Sequence, residues 1–397
     1  MLDFQYQNAT RFIFGKGQTN RVGSYIKEYG ARKVMVLHYG TGLDFENKLI
    51  DNVLHSLQQA GLEYIDFQGI ERAEFEIAQR ALDIVQKEEV DFLLPVGGGT
   101  VIDVAKYVAV AARYPGDVWE DFYLHHDTPM PDPLLLGAVS TVAASGSENS
   151  PDSVIAKGTL KRTMSDLKIR PIFAILDPEL IFSLPAKLTA AGAADIMGHA
   201  HERYFSPTPD NYFTDELNEA VLRTIIKFTP VALRNPRDYN ARAQMLWAGL
   251  LAHNGQFEVG RETDRAVHCI ESEIGGMYHS IHGIGIGCVT LAWAKYMCKR
   301  DVPKFTTYFN RVWGVEMDML DPNNMLREGI RKMTAFYTSI GIPVNFSDLG
   351  VQEEDVPTLV STTRVTQAGT VGGYSRLSKE DLLYIYMIGL GKEEPEL

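Results

Sequence analysis

Two residue pairs carry most of the chemistry legible in this chain: Asp195 with His199 in GAADIMGHA, and His268 with His282 in VHCIESEIGGMYHSIHG. One carboxylate and three imidazoles form a workable donor set for a single divalent cation, and Fe2+, Zn2+, Ni2+ or Mn2+ would each accept it. Asp195 and His199 stand four apart on a helical pattern, so both side chains project from one face. His268 and His282 cannot share an ion from one unbroken helix, which would hold them roughly 21 Å apart along its axis. The Gly275-Gly276 pair between them is the expected place for that helix to end and the chain to reverse, with His282 opening the next. The other histidines, including His38, His201 and His253, lack a partner at ligand spacing and read as core or surface residues.

A second candidate lies far upstream. In VGGGTVIDVAK, Gly97-Gly98-Gly99 closes an apolar strand and leads into a helix beginning near Val101. Glycines there let backbone N–H groups approach phosphate oxygens, and the helix N-terminus adds partial positive charge. The pattern is neither GxGxxG nor GxxxxGK[ST]. Asp103 is readily explained as a helix-dipole residue. The small-residue loop Ser140–Ser150 should emerge at the same sheet edge, and Lys161 has the reach for a phosphate or ribose. Cofactor choice is tied to the loop carrying Gly40 and Thr41 after the first clear strand. An acid closing that strand would bind the adenosine ribose diol and repel a 2′-phosphate. No acid follows until Asp44, so the reading leans to NADP(H) over NAD(H).

These candidates need elements to position them. Apolar runs at 33–38, 64–67, 92–96, 134–141 and 171–176 alternate with amphipathic stretches such as 47–60 and 74–88. Strands alternating with helices of that length predict a parallel sheet covered on both faces, with ligands at the strands' carboxyl ends. After Leu184-Pro185 the rhythm changes, and no proline occurs between Pro236 and Pro303. A stretch of that kind, rich in Ala, Leu, Met and Glu, predicts successive helices. The expected organisation is a nucleotide-binding α/β domain over residues 1–183 and a helical metal-binding domain over 184–397.

Bulk properties narrow the class. A chain of 397 residues with 45% hydrophobic and 22% charged residues has material for two cores. A formal net charge of −13 argues against nonspecific nucleic-acid binding, which needs surplus Lys and Arg. Cys269, Cys288 and Cys298, an odd set without CxxC spacing, fit a reducing compartment. The segment MLDFQYQNATRF has no basic start followed by an apolar core, and no run of about eighteen apolar residues occurs, so neither a secretory signal nor a membrane span is expected. The cytoplasm is the compartment these features suggest.

Taken together, RFIFGKG (11–17), GIERAE (from Gly69), VGGGTVIDVAK, SGSE (145–148), LDPEL, SLPAKLTAAGAADIMGHA (183–200), AVH and SIHG resemble the iron-dependent, type III alcohol dehydrogenase family, in particular its butanol-dehydrogenase and broad aldehyde-reductase branch. The likeness spans nearly the whole chain. It implies a Rossmann-like domain, a helical domain with dehydroquinate synthase-like architecture, and a metal between them. By this resemblance Asp195, His199, His268 and His282 match the metal ligands, with Fe2+ or Zn2+ as the ion. Gly98, Gly99, Thr100 and Asp103 match the pyrophosphate turn, while Thr141, Ser145 and Lys161 match cofactor-contacting positions. A homodimer is also implied.

One departure concerns proton transfer. Relatives carry a histidine four residues after the third ligand, where this chain has Ser272, so the proton would leave through Ser272, water and the cofactor ribose, or through His279. The activity implied is hydride transfer between a primary alcohol or aldehyde and NAD(P)(H). A glycerol dehydrogenase-like polyol oxidoreductase, or a catalytically weakened nucleotide-binding relative, are the alternatives. A dehydroquinate synthase would need a dense Lys/Arg pocket, which the segments around His268 do not show.

Overall fold

The computed structural model describes residues 1–158 and 160–395. It divides into two compact units, Gln7–Leu184 and Pro185–Leu397, the latter joined by Met1–Tyr6. The first six residues therefore leave the domain expected to begin at residue 1. Leu2 N–H donates to the Gly260 carbonyl at 2.8 Å, which ties this segment to the helical unit.

Among the described residues the α/β unit has eight strands: β1 (Arg11–Phe14), β2 (Lys33–His38), β3 (Glu63–Phe67), β4 (Phe92–Gly97), β5 (Leu135–Ser140), β6 (Asp152–Lys157), β7 (Leu160–Ser165) and β8 (Phe173–Leu176). Six form one parallel sheet in the order β1-β8-β5-β4-β2-β3, as the alternating pattern predicts. β6 and β7 form a separate antiparallel hairpin. Side chains alternate across the sheet. Val34, Val36, Phe92, Leu94 and Val96 face α1 (Val22–Lys27) and α2 (Asp44–Gln59), packing on Val22, Ile26, Leu49, Val53 and Leu57. Met35, Leu37 and Leu93 face the other way, onto Ile77 and Ala81 of α3 (Phe75–Lys87) and Val101, Val104 and Ala105 of α4 (Gly99–Ala111).

Adjacent strands β2 and β4 thus send their following helices, α2 and α4, to opposite faces. That divergence opens a crevice at their carboxyl ends, the place where doubly wound sheets receive ligands.

The helical unit holds α5 (Ala186–Tyr204), α6 (Tyr212–Arg234), α7 (Tyr239–Ala252), α8 (Ala266–Tyr278), α9 (His282–Met297), α10 (Val302–Trp313), α11 (Pro322–Ser339), α12 (Val356–Thr362) and α13 (Lys379–Gly389). α5 is buried on every side from Thr189 to Tyr204, so it forms the centre of the unit. Two glycines of α9 bring that helix against it. A Cβ on Gly283 would lie 2.0 Å from the Ala191 carbonyl oxygen, and one on Gly287 would lie 3.1 Å from the Ala194 Cβ. Backbone closeness of this kind sets where α9 can point its first residue, His282.

The expected reversal at Gly275-Gly276 is corrected. α8 continues through both glycines and ends at Tyr278, with His279 in the left-handed region (φ 53°, ψ 34°) and Ile281 as the N-cap of α9. The turn is therefore His279-Ser280-Ile281. Gly275 serves a different purpose, since a Cβ there would come within 2.9 Å of Glu271 Oε1. Space for that carboxylate offsets the helix-propensity cost of a glycine, about 1 kcal/mol.

Candidate active site

The fold-back brings both later histidines to Asp195. Asp195 Oδ1 is 3.6 Å from His199 Nε2, 3.9 Å from His268 Nε2 and 3.6 Å from His282 Nε2. One donor atom each from Asp195, His268 and His282 lie within 4.8 Å of one another. His199 falls outside that mutual set, although its ring stands 4.5 Å, centroid to centroid, from that of His268. Asp195 Oδ1 and His268 Nε2 are buried without a hydrogen-bond partner. Buried polar atoms left in this state are costly unless a ligand compensates them. An oxygen and imidazole nitrogens gathered this closely have the chemistry of a divalent-cation site.

Carboxylates stand behind two of the imidazoles. Glu202, one turn beyond His199 on α5, has Oε2 2.7 Å from His268 Nδ1 and accepts the His268 backbone N–H at 2.9 Å. Burial would raise the Glu202 carboxyl, but the His268 ring, with Arg203 adding to it, holds it down to about 2. Glu271 is 1% exposed and its Oε2 is hydrogen-bonded to His282 Nδ1. Glycine makes that reach possible, because a Cβ on Gly285 would sit 2.7 Å from the Glu271 Cγ. A carboxylate on Nδ1 fixes the tautomer whose Nε2 lone pair faces the site.

His199 is built differently. Arg203 Nη1 lies 3.3 Å from its Nδ1, and the His253 ring stacks on it at 4.0 Å. Burial, then the neighbouring His253 and His268 rings, keep His199 well below the usual imidazole range.

Sequence spacing did not reveal His253, Glu202 or Glu271 as neighbours of the site. Glu202 and Glu271 each left a trace, three residues after a ligand candidate on the same helix, His199 and His268 respectively. His253 comes from the end of α7, and Glu271 reaches the site only because Gly275 and Gly285 admit it.

At the carboxyl ends of β2 and β4 the candidate residues also lie close together. Gly98 is the extended N-cap of α4, and its N–H donates to the Tyr39 hydroxyl at 3.0 Å. A Cβ on Gly98 would meet Val142 Cγ1 at 2.7 Å and the Tyr39 hydroxyl oxygen at 2.9 Å, so only glycine fits. Gly99 and Thr100 occupy the first turn of α4, where backbone N–H groups have no intrahelical acceptor. Thr141 follows β5, its N–H donating to the Gly97 carbonyl at 3.1 Å, and Ser145 Oγ lies 3.1 Å from where a Cβ on Gly99 would be.

Asp103 is engaged within the protein. It accepts from the Ser147 hydroxyl at 2.7 Å and the Val154 N–H at 3.0 Å, fastening the Ser145–Ser150 loop and β6 to α4. Lys106, fully buried one turn further on, donates to Asp152 O at 2.6 Å, Ser150 O at 3.1 Å and Ser147 Oγ at 3.2 Å. Lys161 sits exposed on β7, opposite Ala156.

No acid closes β2 before Asp44, as read from the sequence, but one reaches its loop from the next helix. Gly40 and Thr41 do follow β2; Gly40 has a positive φ of 72°, and a Cβ there would also press on Gln68 and Gly69. But α2 starts at Asp44, and its first turn folds Glu46 back over the loop. Glu46 accepts from Gly40 N–H at 2.9 Å, from Thr41 N–H at 2.7 Å and from the Thr41 hydroxyl. Burial would raise the Glu46 carboxyl; these bonds hold it below its ordinary value.

Comparisons with known proteins agree with this architecture. The model for iron-containing alcohol dehydrogenase matches residues 9–178, and the model for the C-terminal part of the Fe-containing alcohol dehydrogenase family matches 189–388. The chain is 32% identical over 390 residues to NADH-dependent butanol dehydrogenase A of Clostridium acetobutylicum, covering 97% of this chain and 99% of that one. It is 31% identical over 367 residues to the NADPH-dependent aldehyde reductase YqhD of Escherichia coli, covering 91% and 92%. The crystal structure of NADH-dependent butanol dehydrogenase A from Thermotoga maritima superposes with a TM-score of 0.91 at 31% identity, covering 98% and 99%.

The chain belongs to the iron-containing alcohol dehydrogenase family. It is an oxidoreductase of the NAD(P)(H)-dependent alcohol dehydrogenase and aldehyde reductase class.

Proposed function

We propose that this enzyme interconverts primary alcohols and aldehydes, using one divalent ion, Fe2+ or Zn2+, held by Asp195, His199, His268 and His282. The observation that carries this reading is Asp195 Oδ1, buried without a hydrogen-bond partner and within 3.9 Å of three imidazole Nε2 atoms. When bound, the ion supplies Lewis acidity toward the substrate oxygen and the nicotinamide supplies or accepts the hydride.

The chain's own residues do the rest. Asp195 contributes the anionic donor. Glu202 and Glu271 hold the Nδ1 sides of His268 and His282, which keeps both Nε2 atoms aimed at Asp195. Ser272, one turn beyond His268 on α8 and half-buried, is the group we assign to pass the proton outward through water and the ribose. His279, exposed at the end of α8, is the alternative exit. Gly98, Gly99 and Thr100 bind the pyrophosphate at the start of α4, with Thr141 and Ser145 beside them.

Relatives act on butanol, on aldehydes and on 1,3-propanediol by name, which favours small primary alcohols and their aldehydes as substrates. The lean to NADP(H) loses its basis once Glu46 is seen on the Gly40-Thr41 loop. Four relatives at 32% identity are named as NADH-dependent. We also propose a homodimer and, from the unbridged Cys269, Cys288 and Cys298, a cytoplasmic setting. Among the described residues no helix is long and apolar enough to cross a membrane.

The test is His268→Ala with metal analysis, turnover on a series of aldehydes, and fluorescence titration of reduced dinucleotide. Metal retention and turnover should be lost while dinucleotide binding persists. Undiminished turnover by wild-type protein stripped of all metal would end this reading.

A further inference from the structure

The Glu46 clamp deepens the nucleotide reading and rests on it. Glu46 is only 6% exposed, and its two oxygens accept both N–H groups of Gly40 and Thr41 together with the Thr41 hydroxyl. A second carboxylate stands nearby. His38, the last residue of β2, has Nδ1 3.3 Å from Glu46 Oε1 and Nε2 2.7 Å from Asp66 Oδ1 on neighbouring β3. Even with an imidazolium between them, two carboxylates leave this strand end negative. Among the described residues, the ion pairs of Glu46 and Asp66 are with His38 alone.

A ribose 2′-phosphate is recognised by N–H and O–H donors and by cations. At this loop the donors are already spent on a carboxylate and the local charge has the wrong sign. Admitting the phosphate would require Glu46 to give up its bonds while still buried, which leaves an ionised group uncompensated. A ribose with a free 2′-hydroxyl makes no such demand, being neutral and itself a donor toward carboxylate oxygen.

We propose that Glu46 is the specificity-determining residue for the dinucleotide: by occupying Gly40 and Thr41 it excludes a 2′-phosphate, so that the enzyme takes NAD(H) in preference to NADP(H). The device is distinct from an acid standing at the strand end itself. It acts from the next helix, through the loop, and shows no acidic residue between Lys33 and Gly42.

The experiment titrates purified, metal-loaded protein with NADH and NADPH by fluorescence, and with 5′-AMP and 2′,5′-ADP by calorimetry. Wild type should bind NADH at least tenfold more tightly than NADPH, and 5′-AMP more tightly than 2′,5′-ADP. Glu46→Gln keeps the size and removes the charge; it should narrow both ratios at least fivefold, chiefly by strengthening the 2′-phosphorylated ligands. A simple loss of loop structure would instead weaken both members of each pair alike. Should Glu46→Gln fail to fold, Asp66→Asn lowers the same negative charge without touching the loop amides, and should narrow the ratios in the same direction by a smaller factor.

Equal or tighter NADPH binding by wild type overturns the proposal, as do unchanged ratios in the folded variants. Failure of both dinucleotides to bind would instead sink the nucleotide site itself, and this proposal with it.

Discussion

Where α5, α8 and α9 pack together, Asp195 Oδ1 and His268 Nε2 are buried with nothing to bond. At the carboxyl ends of β2 and β4, the amides of Gly40, Thr41 and Gly98 are each taken, by Glu46 or by the Tyr39 hydroxyl. One cluster holds donor atoms in a costly state that a cation would relieve. The other has satisfied itself, so under the proposed function an incoming nucleotide would have to exchange protein bonds for ligand bonds. The first arrangement would give affinity through preorganisation. The second would give selectivity, because a ligand would be admitted only if what it offers matches what it displaces.

Four measurements would break or sharpen that contrast. The largest effect is expected from Glu202, whose carboxyl is held to about 2 against an ordinary 4.5. A depressed folded-state pKa contributes stability that is whole above about pH 4.5 and is lost as pH falls toward 2. In metal-free protein the stability advantage of wild type over Glu202→Gln should shrink as pH falls below about 4.5. A gap independent of pH would show that charge is not what Glu202 contributes.

Next comes Gly283→Ala, which pushes a methyl group against the Ala191 carbonyl. Overpacking of this kind costs about 1–3 kcal/mol, read by denaturant unfolding, and it should also lower bound metal. Gly276, where a Cβ would meet nothing within 4 Å, is the control. Glu271→Gln should weaken metal affinity about 10- to 100-fold in a chelator competition while sparing dinucleotide binding. Tyr39→Phe is the smallest change. Freeing the Gly98 amide should tighten dinucleotide binding about two- to tenfold, as the net worth of one hydrogen bond implies; weaker binding would mean that the phenol itself holds the ligand.

Much of the frame was legible because periodicity carries it. The five strands read from apolar runs are all in the parallel sheet, and the amphipathic segments 47–60 and 74–88 correspond to α2 and α3. Two kinds of element escaped. β1 is four residues at the sheet edge with a single buried side chain, and the β6–β7 hairpin is held to α4 partly through polar bonds such as Val154 N–H to Asp103. Neither leaves an apolar run. The glycine pair was misread because a paired glycine signals either a break or a close approach. Here Gly275 marks an approach, that of the Glu271 carboxylate, and the reversal falls at a left-handed His279 instead. Glu46 was missed for a related reason: proximity in sequence to the loop does not tell whether a helix's first turn folds back over it.

Lys106 has a consequence of its own. A serine-rich stretch between a strand and a hairpin would ordinarily drift, yet this one is riveted by a single dehydrated ammonium that gathers oxygens from Ser147, Ser150 and Asp152. Water cannot replace such a rivet, because no solvent reaches it. This one amine therefore stiffens, together with Pro151, the whole segment that leads into β6, and swapping it for a methionine should loosen that segment while the sheet stands unchanged.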